Sequence, residues 1–263
     1  MKWDIMDEMV ARKTIAANWK EHPRTAAEAW RLFDATMRLA AKVLRDDVIV
    51  CPPAIYLQGA GARMAEAKRK KALPPNFALG AQDVFWEDEG AFTGGMGPKM
   101  LRVLGVRYAI IGHSERRRWF GETDEMVNKK VLAALAGGLV PIMCIGEPPE
   151  VRKKGIAAAK RYLVRQLAYG LKGVPKGRMG RGLVIVAYEP VWAIGSGKND
   201  NPADAAAIAR FIKTEAGVVK VIYGGSVNGA DVRGYVQSED INGALVGGAS
   251  LKAEDFKKII NHS

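Results

Sequence analysis

Cysteine is nearly missing: Cys51 and Cys144 are the two that the 263 residues hold. Their spacing fits neither a disulfide framework nor a metal site, which excludes a small cross-linked secreted domain and leads us to expect a reducing cytoplasm. Long uncharged runs are missing as well. The longest, 131–146, is broken by Gly137, Gly138 and Pro141, so it reads as a helix end followed by a strand, and no membrane partner is expected. Asp4, Asp7 and Glu8 lie among the first residues, and no secretory signal is expected ahead of the fold. Acidic residues are outnumbered, 28 against 40 Lys and Arg, for a formal charge of +12. Such a charge suits nucleic acid, an anionic membrane or a phosphorylated substrate, and does not choose among them. The basic run 68–71 falls late in a predicted surface helix and lacks interleaved aromatics, so it reads as a solvated face. A nucleic-acid partner would need an aromatic-lined positive groove, which the sequence does not offer.

What is present is 48% hydrophobic content in a chain long enough to bury one large core. Met9-Val10-Ala11-Arg12-Lys13 looks like a start in its own right, leaving 1–8 as an extension without an assigned role and 9–263 as a single catalytic domain. Strand-like runs are expected at 14–18, 48–51, 77–82, 108–112, 140–145, 183–188, 218–223 and 243–246. Each is followed by a helix, at 24–44, 55–70, 99–104, 123–136, 156–171, 203–216, 230–235 and 253–260. Eight right-handed strand–helix units in this length favour an α/β fold closed into a (β/α)8 barrel of parallel strands over a doubly wound sheet. The segment 83–98, with Gly90, Gly94, Gly95 and Gly97, is a long loop, and loops of that length are usually functional or interfacial.

The stretch 183–198 carries the chemistry. Six apolar or aromatic residues end abruptly on Glu189, and Pro190 stops the strand ladder. Trp192, Gly195 and Gly197 then suit a loop that moves between hinges. A surface Glu before an ordinary connection is the plainer alternative. In a barrel, residues just after the strands converge on one face, and collecting them gives Asn18, Lys20, His113, Glu115, Glu189, Ser226, Gly247 and Gly248. Lys20 alone would be a surface lysine and His113 alone a structural histidine; their joint placement is harder to dismiss. The turns Gly224-Gly225-Ser226 and Gly247-Gly248-Ala249 follow strands seven and eight, where barrels commonly hold a phosphate on backbone N–H groups.

Asn18-Trp19-Lys20, Gly112-His113-Ser114-Glu115-Arg116-Arg117, Phe120-Gly121-Glu122-Thr123, Tyr188-Glu189-Pro190-Val191-Trp192-Ala193-Ile194-Gly195, Tyr223-Gly224-Gly225-Ser226-Val227 and Val246-Gly247-Gly248-Ala249-Ser250 resemble, in order, the motifs of the triosephosphate isomerase family. The resemblance implies a TIM barrel that interconverts dihydroxyacetone phosphate and D-glyceraldehyde 3-phosphate with no cofactor and no metal. It implies Glu189 as the base and His113, at the start of a short helix, as a neutral electrophile. Lys20 and Asn18 would meet the phosphate and the developing enediolate, with Glu115 orienting Lys20. Backbone N–H groups of Gly195, Ser226, Gly247 and Gly248 would hold the phosphate, and 190–200 would close over the site. A homodimer through the loop 83–98 is implied, its tip Phe92-Thr93-Gly94 buttressing the partner near Asn18 and Glu115.

The chain departs from the family pattern at Glu21, where Met is usual, and at Asn199-Asp200, which replace small or β-branched residues at the second hinge. Gly95 stands in place of an acidic residue that pairs across the dimer with the arginine matching Arg116, so Arg116 must find another carboxylate or stay hydrated. Two other readings compete: a sister isomerase acting on a four-carbon ketose phosphate, and a basic nucleic-acid-binding barrel.

Overall fold

The computed structural model describes residues 12–194 and 200–262. Eight strands form a closed barrel in sequence order: β1 Thr14–Asn18, β2 Asp47–Cys51, β3 Phe77–Ala81, β4 Val106–Ile111, β5 Val140–Ile145, β6 Ile185–Tyr188, β7 Lys220–Tyr223 and β8 Gly243–Val246. All neighbours are parallel, and β1 closes on β8 with Thr14 opposite Gly243. Parallel strands covered on both faces must be apolar throughout. Residues pointing inward, such as Ala16, Ile49, Ile110, Ile142, Ala187, Ile222 and Leu245, fill the barrel. Those pointing outward, such as Ile15, Val50, Ile111 and Val186, join the helices in a second, larger core.

The helices are α1 Ala26–Ala40, α2 Ala54–Arg69, α3 Pro98–Val103, α4 Ser114–Trp119, α5 Asp124–Ala136, α6 Pro149–Arg152, α7 Ile156–Gly170, α8 Lys176–Met179, α9 Pro202–Ala216, α10 Val232–Val236 and α11 Ala253–His262. Local chemistry sets their ends. Thr25 caps α1 by accepting the Glu28 N–H, and Thr123 caps α5 by accepting that of Met126. Asn201 caps α9 ahead of Pro202, and Gly217 ends it at φ 65°, a left-handed conformation that glycine adopts freely.

Several expected boundaries move. The strand expected at 183–188 begins at Ile185, and the helix expected at 24–44 is trimmed to Ala26–Ala40. The strand expected at 108–112 begins at Val106 and excludes Gly112, whose φ of 74° turns the chain before His113. The extension 1–8 lies outside the described residues. The loop 83–98 packs more closely than its glycines suggest: Phe85 stacks on Trp86 at 4.2 Å and touches Phe92 at 4.9 Å between ring centres. Its tip is nevertheless in the open, with Phe92 44% exposed.

Candidate active site

The C-terminal ends of the strands open into a cavity of about 700 Å³ whose lining includes Asn18, Lys20, His113, Glu115, Ser226, Gly247 and Gly248. Residues scattered over more than two hundred positions are thus brought to one face. Gly195 and Asn199 lie outside the described residues.

Lys20 is held from several directions. Its N–H donates to Asn18 Oδ1 at 3.1 Å, its carbonyl accepts from Gln82 Nε2 at 2.9 Å, and its ammonium pairs with Glu115 Oε1. Its φ of 52° is unusual for a residue with a side chain, and such strain persists only where the surroundings over-determine it. Gly247 matters here because a Cβ on it would sit 3.3 Å from Lys20 Cε.

His113 caps α4 and is 7% exposed. Its Nδ1 accepts the Glu115 N–H at 3.2 Å, so hydrogen bonding assigns the ring proton to Nε2. That Nε2 faces Glu189 Oε1 at 3.1 Å. Two neighbouring elements therefore deliver a neutral imidazole donor to the end of the strand that carries the carboxylate.

Glu189 is 1% exposed at the end of β6. The main chain seats it: its N–H donates to the Ile145 carbonyl at 2.7 Å, and Oε2 accepts the Ser114 N–H at 3.0 Å. Oε1 lies close to His113 without hydrogen-bond alignment and forms no hydrogen bond among the described residues. Glycines make the room. A Cβ on Gly224 would reach Glu189 Cγ at 2.7 Å, and one on Gly146 would reach the Glu189 carbonyl oxygen at 1.6 Å. The carboxylate borders a second cavity of about 310 Å³, shared with Ser114, Arg117 and Cys144, rather than the larger one. Burial, reinforced by the charge of Glu189, pushes the Cys144 thiol well above its usual range, so it stays protonated beside the carboxylate.

Glu147, fully buried after β5, braces this strand end from behind, accepting from Tyr188 Oη at 3.1 Å and Trp192 Nε1 at 2.9 Å. On the opposite wall Ser226 Oγ donates to the Ala193 carbonyl at 2.9 Å, which ties the turn after β7 to the segment after Glu189. Sequence reasoning missed Gln82, Ser114 and Glu147. Ser114 lies in one of the family motifs, but its contribution is a main-chain N–H, which no side-chain chemistry advertises. Gln82 and Glu147 lie just after strands β3 and β5, and that position was the available signal. Among the described residues no group of His, Cys, Asp and Glu is placed to hold a metal, and no helix is long and apolar enough to cross a membrane.

Comparison with known proteins agrees with this geometry. The family model described as triosephosphate isomerase matches residues 13–263. A triosephosphate isomerase from Caldanaerobacter subterraneus subsp. tengcongensis is 45% identical over 262 residues, covering 95% of this chain and 99% of its own. One from Citrifermentans bemidjiense is also 45% identical, covering 96% and 99%. Among solved structures, triosephosphate isomerase from Bartonella henselae superimposes with a TM-score of 0.80 at 33% identity, covering 96% of this chain and all of that one. Nothing in these matches supports the four-carbon alternative. A closed eight-strand barrel, a buried carboxylate facing a neutral imidazole, and a match along nearly the whole length make the chain a member of the triosephosphate isomerase family.

Proposed function

We propose that interconversion of dihydroxyacetone phosphate and D-glyceraldehyde 3-phosphate proceeds here through an enediolate, with Glu189 as the base. The observation that carries this reading is the buried Glu189 Oε1, without a hydrogen bond among the described residues and 3.1 Å from His113 Nε2. A carboxylate oxygen with no hydrogen bond to give up is available for a proton. It removes one from the carbon beside the substrate carbonyl. Charge then develops on two adjacent oxygens, and His113, neutral and donating through Nε2, stabilises them and relays a proton between them. Glu189 returns its proton to the neighbouring carbon, which completes the isomerisation without any external reductant or oxidant. To reach a substrate in the larger cavity, Glu189 must release the Ser114 N–H, so binding and alignment of the base are linked.

Lys20, on the wall of the larger cavity and paired with Glu115, would meet both the phosphate end and the reacting oxygens, with Asn18 as a neutral donor next to it. Backbone N–H groups of Ser226, Gly247 and Gly248 hold the phosphate; Gly195, the fourth expected contact, lies outside the described residues. Two copies associate through the loop 83–98, a reading supported by exposed Phe92 and Phe120 on that loop and the end of α4, and by Met100 and Val103 on α3. The cytoplasm is the compartment proposed, since both cysteines are free and buried.

Glu189→Gln keeps the shape and removes the proton acceptor. In a coupled assay with D-glyceraldehyde 3-phosphate, kcat should fall at least ~10²-fold while substrate binding survives. Near wild-type turnover in that variant overturns the assignment of the base.

A further inference from the structure

Arg152, the last residue of α6, stands between two parts of the site. On one side its guanidinium lies over the Trp192 ring, 5.2 Å from the centre, and 3.8 Å from Glu147 Oε1. Glu147 in turn holds Tyr188 and Trp192, which bracket Glu189 in sequence. On the other side Nη2 bonds Asp200 Oδ1 at 3.2 Å and Asp204 Oδ2 at 2.6 Å, at the start of α9. Asp200 is 2% exposed, and its backbone carbonyl accepts from Tyr235 Oη at 2.6 Å. Tyr235 stacks on Tyr223 at 4.1 Å, next to the turn that carries Gly224 and Ser226. One buried residue is therefore tied, its carboxylate through Arg152 to the flank of the base and its backbone carbonyl through Tyr235 to the turn proposed for the phosphate.

We propose that Asp200, through its ion pair with Arg152, is a positioning residue for the reaction: it fastens the segment following Glu189 to the start of α9 and so fixes the seat of the base. The inference rests on Glu189 being that base. It concerns a residue at which the sequence departs from the pattern implied by the family resemblance.

Ionising this carboxylate costs more in the folded chain than in the unfolded one. Burial raises its pKa from 3.8 to about 6, with Arg152 and the Asn201 N–H opposing the rise and Asp204 and Glu147 adding to it. The remaining groups near its charge are Tyr188 from β6, Tyr223 from β7 and Tyr235 from α10, each held above the usual tyrosine range mainly by burial. Because the folded value lies above the unfolded one, the folded state binds more protons between them. The stability contribution of Asp200 is therefore highest at low pH and is lost as pH rises from 3.8 to about 6. A buried charge kept at a cost to stability, in contact with a site, points to function. The neighbourhood can also change partners: among the described residues, Glu147 Oε2, Arg152 Nη1, Asp200 Oδ2 and Tyr223 Oη are all buried without a hydrogen bond.

The test is the ratio of wild-type kcat to that of Asp200→Asn, measured with D-glyceraldehyde 3-phosphate from pH 5 to 9. Ionisations that both enzymes share, including those of the substrate phosphate, cancel in this ratio. Above pH 7 the ratio should be roughly 10, below the ~10²-fold cost of a 1 Å misplacement. It should fall toward 1 below pH 6, where wild-type Asp200 is itself protonated, with KM little changed. Arg152→Gln should reproduce the loss at pH 8, and adding Asp200→Asn to it should cost little more. A ratio near 1 throughout, a ratio independent of pH, or an effect confined to KM overturns the proposal. If Asp200→Asn does not fold, Arg152→Gln decides instead, and wild-type kcat in that variant at pH 8 overturns the proposal. Turnover retained by Glu189→Gln would instead overturn the base assignment, a separate readout.

Discussion

Lys20 shows how much of the site is settled around one side chain. With its φ at 52°, it stores strain on the order of 1–3 kcal/mol that Asn18, Gln82 and Glu115 hold in place. Its side chain is about a third exposed, so water screens its pairing with Glu115 and that pair adds little to stability. Catalysis gives the better account of its placement, because a fixed charge acts most strongly where negative charge grows. Lys20→Met should lower kcat/KM at least ~10²-fold, as expected for loss of a strong electrostatic donor. Kinetics at matched ionic strength that show only a higher KM would confine Lys20 to uniform binding.

Elements set the distances between such residues, and β5 and β6 give the clearest case. Their ends approach so closely that a Cβ on Gly146 would overlap the Glu189 carbonyl. Gly146→Ala must push the strand ends apart, costing about 1–3 kcal/mol as overpacking does and misplacing the base. A lowered melting temperature together with a lowered kcat is expected; wild-type values of both would show that this spacing is not critical. The same elements explain what could be read without coordinates. β1, β5 and β8 were legible to the residue because apolar runs there meet unambiguous turn signals. β4 was shifted because Arg107 looks like a loop residue, yet it lies in the strand with its side chain outside the buried core. The buried charges Glu147 and Asp200 were illegible as a network, since pairing a carboxylate with Arg152 or a tyrosine needs three-dimensional proximity that spacing does not encode. Short helices such as α6 and α8 carry too few turns for periodicity to register.

At the scale of the whole molecule, the open question in the sequence was Arg116, deprived by Gly95 of an acidic partner on a second subunit. The chain answers it internally. Arg116 bonds Asp83 at 2.8 Å and Glu122 at 2.9 Å, and Lys130, 3% exposed, completes the cluster at 2.7 Å from Asp83. Burial pushes the Asp83 carboxyl up, while Lys130 and Arg116 oppose the rise. Arg116 therefore makes no demand on a partner, and no cross-subunit pair at this position has to be replaced. What the proposed dimer face offers is apolar: Val103 is 87% exposed, Phe120 68%, Met100 56% and Phe92 44%. An association driven by such surface should depend weakly on salt, unlike one driven by exposed ion pairs. Light scattering over a dilution series at low and high ionic strength should show a dimer at micromolar concentration, with a dissociation constant changing less than about tenfold between roughly 0.05 and 0.5 M salt. Phe92→Ser should weaken the dimer and lower specific activity together, because the loop tip is expected to buttress the neighbouring site. A micromolar monomer with full specific activity would sink both the dimer and the buttressing, and a steep salt dependence would mean that charges, not these side chains, hold the copies together.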